Sequence, residues 1–177
     1  MSAHGDVAAA SLWIHRLLGL VPEDGPVLDL ACGGGRHARL FLARGQAVVA
    51  LDRDLSGLAD LAGQSGLELI QADLEDDSRF PLAGRRFAAV VVVNYLHRPL
   101  LPLLVEAVAP GGLLLYETFA RGNERFGRPR NPDYLLAPGE LLDAVRGRLR
   151  VLAYEDLIVE RPRPAAVQRI CARREQG

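Results

Sequence analysis

The sequence predicts an α/β protein: a doubly wound, mostly parallel seven-stranded sheet with helices on both faces and a C-terminal antiparallel hairpin. Three observations carry this expectation. Short apolar runs alternate with stretches of helical periodicity, the pattern that winds a parallel sheet through helical crossovers. The strongest run, Phe87-Ala88-Ala89-Val90-Val91-Val92-Val93, is apolar at every position, as suits a central strand covered on both faces. The last two runs are separated only by Arg161-Pro162-Arg163-Pro164, so they read as a hairpin that requires at least one antiparallel strand at an edge.

Val7 to Leu20 reads as a helix, with Trp13, Leu17 and Leu20 at helical spacing, stopped by Pro22 and Gly25. Pro26 to Leu30 is a short strand that runs straight into glycines. Arg36 to Ala43 is helical, with Gly45 placed as a C-cap glycine. Ala47 to Leu51 is a second buried strand ending at Asp52, Leu55 to Ala62 a helix, and Leu67 to Gln71 a third strand ending before Asp73. Beyond Val93, Pro99 to Ala109 makes a helix with proline in its first turn. Pro110-Gly111-Gly112 then turns the chain into the strand Leu113 to Glu117. Pro138 to Val145 is a further helix, and Leu149 to Val159 and Ala165 to Ala172 are the closing strands.

The 177 residues are 49% apolar and 24% charged, ordinary for a globular protein, and without internal repeats they read as one domain over 1–177. A net charge of −1 argues against broad, charge-driven binding to nucleic acid or membrane. All 21 basic residues are arginine, which excludes Schiff-base and P-loop lysine chemistry. Cys32 and Cys171 lie far apart without metal-ligand spacing; they read as reduced thiols, and no metal site is expected. The first residues lack the basic flank and apolar stretch of a signal peptide, and no apolar run is long enough to span a bilayer, so the expected location is cytoplasmic.

The main chemical signal is Val27 to Ala38, where a buried strand enters Gly33-Gly34-Gly35 and a helix follows. Glycines let a backbone turn sharply and approach a ligand, and the helix start offers unpaired N–H groups. Gly33, Gly35 and Ala38 also satisfy the dinucleotide spacing G-x-G-x-x-G/A, so glycines alone leave a nicotinamide-dependent oxidoreductase open. Asp29 separates the readings. A carboxylate beside the loop would repel a pyrophosphate, whereas it favours a cationic ligand; alternatively it bonds only to loop amides. Asp52 and Asp73 each follow a predicted strand, at the end of the sheet where ligands of open α/β folds bind. Asp52 lies at the interval suited to ribose hydroxyls. Asp73 with Leu74 could meet an adenine amino group, or Asp73 could N-cap a turn over Leu74 to Asp77.

Together these residues resemble the class I S-adenosylmethionine-dependent methyltransferases, whose fold is Rossmann-like. Asp29-x-Ala31-x-Gly33-x-Gly35 looks like that family's first motif, with Ala31 where the family usually has glycine. Asp52 sits at its ribose position, Ala72-Asp73 resembles its adenine segment, and Pro110-Gly111-Gly112 resembles the turn before its fifth strand. The terminal hairpin is similar to the one that sets this fold apart from dinucleotide dehydrogenases. The resemblance implies S-adenosyl-L-methionine as cofactor, held by Asp29, Ala31, Cys32, Gly33, Gly35, Asp52, Arg53, Asp73, Leu74 and Asn94. The run Asp29 to His37 and the compact length further resemble small tellurite-resistance and thiopurine-type methyltransferases, which act on small, soft nucleophiles.

For the acceptor, the strand at Val93 ends in Asn94-Tyr95-Leu96-His97, where the family places acceptor-facing residues. Asn94 and Tyr95 could orient a substrate and His97 take a proton; His97 could equally be a surface residue starting a helix. The long segment Phe119 to Tyr134 carries Arg121, Arg125, Arg128 and Arg130, suited to clamping an oxyanion, with Phe126 and Tyr134 as a lid. It could also be a solvated basic loop. Arg161 and Arg163 fall near the same rim. The expected function is methyl transfer to a small acceptor, an anion or soft nucleophile, by a monomer or homodimer. The alternatives are an NAD-dependent oxidoreductase and a non-catalytic methyltransferase-like subunit. Methylation of tRNA or protein stays open, with nucleic acid disfavoured by the charge.

Overall fold

The computed structural model describes residues 9–76 and 79–177. Helix α1 (Leu12–Leu17) is started by Ser11, whose Oγ accepts the Trp13 N–H at 3.1 Å. The helix expected from Val7 is therefore shorter: Ala9 and Ala10 are not helical, and Val7 and Ala8 lie outside the described residues. Strand β1 (Val27–Leu30) leads through the glycines to α2 (Arg36–Ala43), followed by β2 (Val48–Asp52) and β3 (Leu67–Gln71). Next come β4 (Phe87–Val93), α3 (Leu101–Glu106), β5 (Val108–Phe119), α4 (Glu140–Val145), β6 (Arg150–Val159) and β7 (Ala165–Arg173).

The strands form one seven-stranded sheet in the order β3-β2-β1-β4-β5-β7-β6. β1 to β5 pair in parallel, and β7 runs antiparallel to both of its neighbours. The expected fold class is thus observed, with one refinement. The reversed strand is inserted one place in from the edge, and β6 forms the edge itself. Winding starts at the centre, runs out to β3, then resumes from β4 on the other side of β1. The carboxyl ends of β1 and β4 flank the resulting switch point, the crevice where open α/β sheets bind ligands.

Alternate residues of each central strand feed two cores. Leu28, Leu30, Val90, Val92, Leu114 and Tyr116 pack with Leu104 and Val105 of α3 and Leu141 and Val145 of α4. Val27, Ala89, Val91, Leu113 and Leu115 pack on the other face with Trp13, Ile14 and Leu17 of α1 and Ala38 and Phe41 of α2. Burial on both sides explains why these strands read as continuous apolar runs.

Two predicted helices differ. Leu55 to Ala62 is a 3-10 turn (Ser56–Leu61), because only Leu58 is buried and no apolar face supports a longer helix. The helix expected to Ala109 stops at Glu106, since Val108 already pairs with Phe87. The register then jumps so that Leu113 faces Ala89, looping out Ala109 to Gly112. Gly112 is required there: a Cβ would lie 2.8 Å from the Phe87 carbonyl oxygen and 2.9 Å from that of Ala88.

Candidate active site

The cleft is built around the turn leaving β1. Ala31, Gly33 and Gly35 all adopt left-handed backbone, with φ of 54°, 53° and 74°. Gly35 precedes the first residue of α2 and has no side chain to cap it. Asp29 performs that task from inside the sheet. It is 1% exposed, and its Oδ2 accepts the Ala38 N–H at 2.9 Å. Burial pushes its carboxyl up to about 7, against the opposing effects of that hydrogen bond and of Arg36. Asp29 therefore holds the loop on the helix start, and it does not line the cleft. Cys32 is buried in the same turn, and burial, with Asp29 and Asp52 nearby, pushes its thiol up to about 12, so it stays protonated.

Asp52, at the end of β2, reaches across to the loop: its Oδ2 accepts the Gly33 N–H at 2.9 Å, and its Oδ1 accepts the Asp54 N–H at 3.0 Å. Asp73, beyond β3, accepts the Glu75 N–H at 2.9 Å and closes a local turn without starting a helix; Asp77, the other end of the expected turn, lies outside the described residues. These carboxylates open onto a cleft of about 530 Å³. Of the predicted cofactor residues, Ala31, Asp52, Arg53, Asp73, Leu74 and Asn94 line it, and Asp29, Cys32, Gly33 and Gly35 form the turn beside it. Built Cβ atoms on Gly33 or Gly34 would meet nothing within 4 Å, so the backbone there faces open space. Glu75, Leu96, Thr118, Phe119 and Pro129 complete the lining and were not singled out by sequence.

Asn94 follows β4 with φ of 58°, a left-handed conformation that Asn tolerates better than most residues. Its N–H donates to the Glu117 carbonyl at 2.9 Å, which fixes the turn. Tyr95 lines the cleft, and its hydroxyl faces the Glu75 carboxylate without a hydrogen bond of ordinary geometry. Burial first, then the Glu75, Asp73 and Asp52 charges, raise its phenol above the ordinary value, so it is a donor. His97 is half-buried and precedes a short 3-10 turn (Arg98–Leu100), away from the cleft lining.

The segment after β5 is built into the fold. Asn123 is buried, with Nδ2 donating to the Pro129 carbonyl at 3.1 Å and Oδ1 accepting the Ala166 N–H at 3.3 Å. Arg98 grips its far end through Glu140, at 2.6 and 3.0 Å, and through the Asp133 and Leu135 carbonyls. Tyr134 and Pro129 reach the cleft, whereas Arg121, Arg125, Phe126 and Arg128 are not in its lining; Arg125 lies over the Phe126 ring at 5.6 Å.

A second cavity of about 460 Å³ adjoins the first, and Asn94 and Phe119 line both. Its walls come from α1, the start of α2, the end of β5 and the β6–β7 hairpin. Sequence reasoning missed most of this wall. The available signals were Glu117 and Arg169, charged residues inside otherwise apolar strands. Among the described residues no cluster of three or more His, Cys, Asp or Glu is arranged to hold a metal ion.

A glycine turn between β1 and α2, carboxylates after β2 and β3, and a reversed β7 together define a class I methyltransferase fold, as the sequence resemblance implied. Residues 27–112 match the family model described as a methyltransferase domain. TehB from Haemophilus influenzae is similar in structure at a TM-score of 0.72 and 17% identity, over 92% of this chain and 61% of that one. The chain thus spans about three fifths of TehB. An S-adenosylmethionine-dependent methyltransferase from Mesorhizobium loti is similar at 0.69 and 22%, over 90% and 96% of the two chains. The glycopeptide N-methyltransferase MtfA, complexed with S-adenosyl-L-homocysteine, is similar at 0.62 and 24%, over 92% and 88%. At these identities the likeness is one of fold. No curated protein sequence matches the chain.

Proposed function

We propose that the protein transfers a methyl group from S-adenosyl-L-methionine to a small-molecule acceptor, as a single cytoplasmic domain acting alone or as a homodimer. The observation that carries this reading is the carboxylate-rich cleft at the switch point, with Asp52 beside the glycine turn and Asp73 beyond β3. The cofactor, when bound, supplies an electrophilic methyl group on a sulfonium. Asp52 accepts the ribose hydroxyls, and Asp73 with Leu74 takes the adenine end. Three acids against one arginine, Arg53, leave the lining negative, which suits a cationic ligand and disfavours a dinucleotide pyrophosphate. Asn94 and the protonated Tyr95 orient the acceptor by hydrogen bonds, and catalysis rests on in-line positioning. His97, set back from the lining, is not needed as a base for an anionic or soft nucleophile. No described helix is long and apolar enough to cross a membrane.

Calorimetric titration with S-adenosyl-L-methionine and with NADH tests the cofactor directly. Micromolar binding of the first and none of the second is expected; the reverse result refutes the reading. A transfer screen with labelled cofactor over thiols, oxyanions, small acids and tRNA then tests the acceptor class, and turnover confined to tRNA would exclude a small acceptor.

A further inference from the structure

Five arginines, Arg16, Arg36, Arg161, Arg163 and Arg169, line the second cavity, and Glu117 is its carboxylate. They divide into two sets. Arg16 and Arg169 flank the Trp13 ring, with guanidinium carbons 4.6 and 4.9 Å from its centre. Both are neutralised: Arg16 donates to Glu155 at 2.7 Å, and Arg169 to Glu155 at 2.7 Å and Glu117 at 3.0 Å. These two arginines are part of the wall.

The other set makes no ion pair among the described residues. Arg161 and Arg163, on the β6–β7 connection, have no carboxylate or hydrogen-bond partner among the described residues. Arg36, the first residue of α2, donates only to the Ala9 carbonyl, at 3.2 Å. Three permanent positive charges therefore face a cavity whose one acid among the described residues is already bound to Arg169 and to the Ser11 hydroxyl. Between them lie Leu12, exposed, and Val159 and Phe119, half-buried, an apolar surface that a bare inorganic oxyanion leaves uncovered.

We propose, on the basis of the methyl-transfer reading, that this cavity seats the acceptor, and that the acceptor is an organic anion. Its apolar body lies against Leu12 and Phe119, and its carboxylate or phosphate group is held by Arg36, Arg161 and Arg163. Asn94 and Phe119 border both cavities, so a nucleophilic atom at that end of the acceptor faces the methyl group. Its lone pair forms the new bond to the methyl carbon as the carbon–sulfur bond breaks and that pair stays on sulfur. A nucleophilic group that starts neutral releases its proton to solvent.

Trp13 is the one tryptophan in the chain and lies under Arg16 and Arg169, which line this cavity, so its fluorescence reports changes in that wall. The probes are benzoate and phenyl phosphate, with benzyl alcohol as the neutral match and inorganic phosphate as the bare anion. Saturable changes with the two aromatic anions are expected, at least tenfold weaker with benzyl alcohol and with inorganic phosphate. Arg161→Ala/Arg163→Ala should weaken both anions at least tenfold and leave calorimetric S-adenosyl-L-methionine affinity unchanged. In the transfer assay, 4-mercaptobenzoate should show a lower KM than thiophenol, and the double variant should erase that difference. Equal binding of benzyl alcohol, no saturable anion signal, or anion binding insensitive to the double variant overturns the proposal while cofactor binding stays intact. Absence of cofactor binding instead overturns the methyl-transfer reading itself.

Discussion

The two cavities that meet at Asn94 and Phe119 are opposite in charge and in construction. In the cleft at the switch point the carboxylates are tied to nearby backbone amides, Asp52 to Gly33 and Asp54, Asp73 to Glu75. Its lining comes largely from the turns after consecutive parallel strands. The basic cavity draws on α1, α2, β5, β6 and β7, and one of its ion pairs joins Arg16 to Glu155, 139 positions apart. The first is set by local turn geometry, and the second exists only once the sheet has closed and α1 has docked. The difference teaches where a change should act: in the cleft on one contact, in the basic cavity on a whole wall.

The largest effect is expected at Asp52. Asp52→Ala removes the proposed acceptor of the ribose hydroxyls, and each hydrogen bond to a charged group contributes about 1.5–3 kcal/mol. Cofactor affinity should fall at least about thirtyfold, read by calorimetry, with the circular dichroism spectrum retained. The Trp13 response to benzoate should hardly move, because Asp52 does not line the basic cavity. Unchanged cofactor affinity would place the ribose elsewhere.

Asp29 should give a smaller effect, visible through pH. Its folded carboxyl is raised from the ordinary 3.8 to about 7, so the folded state holds a proton that the unfolded chain releases. The stability this provides is complete below 3.8 and is lost as pH rises through about 7. A cationic cofactor favours the ionised form, so its affinity should move the other way and drop by up to about tenfold from pH 8 to pH 6. Asn keeps an oxygen for the Ala38 N–H but does not titrate in this range. Asp29→Asn should therefore flatten the thermal-stability profile and remove that part of the binding profile. Superimposable profiles for the two proteins would show that Asp29 only fastens the loop.

His37 makes the matching test on the basic side. It is 3% exposed, and its Nε2 accepts the Ser11 N–H at 3.1 Å, fastening the start of α1. Burial, with help from Arg36 and His15, lowers its imidazole from 6.5 to about 4. Its contribution is therefore present above 6.5 and is lost as pH falls toward 4. Trp13 emission should change over this window, whereas in His37→Gln it should stay level. The change should be modest, since buried Trp13, Ile14 and Leu17 also hold α1. Asp29 acts with the opposite sign across much of the same range, so single variants are needed to separate them. A level profile in the unaltered protein would refute a role for His37 in holding α1.

Much of the fold was legible because its signals are local. Arg36 to Ala43 and Phe87 to Val93 have the predicted bounds, set in one case by a glycine turn and in the other by burial on both faces. The cleft-side acids were legible for the same reason, Asp52 as the last residue of β2 and Asp73 two residues past β3. The start of α1 was not, because Ala9 and Ala10 are good helix formers and only the Ser11 cap stops the helix. Nor was the arginine assignment. The segment after β5 looked like the anion clamp by its density of arginines, yet Asn123 and Arg98 bind it into the fold, and Arg121, Arg125 and Arg128 stay out of both linings. Arg36 and Arg169 are isolated in sequence, and only tertiary packing brings them together.

The smallest effect is expected at Ala31, where the methyltransferases that this chain resembles usually have glycine in their first motif. Ala31 holds φ of 54°, and left-handed backbone costs an L-residue about 1–2 kcal/mol. Ala31→Gly relieves that strain but loosens the unfolded chain, which opposes folding by about 0.4–1 kcal/mol. The net expectation is a gain of about 0.5–1 kcal/mol, a rise in Tm of about 2 °C for a chain of this size. Removing the methyl group leaves Asp52, Asp73 and the glycine amides in place, so cofactor affinity should stay within about twofold. A lowered Tm would mean that the Ala31 methyl packs against the cleft wall strongly enough to outweigh its strain. A large loss of affinity with a raised Tm would mean that the strained alanine holds the turn in its binding shape, so that rigidity as well as charge distinguishes the cofactor side from the basic cavity.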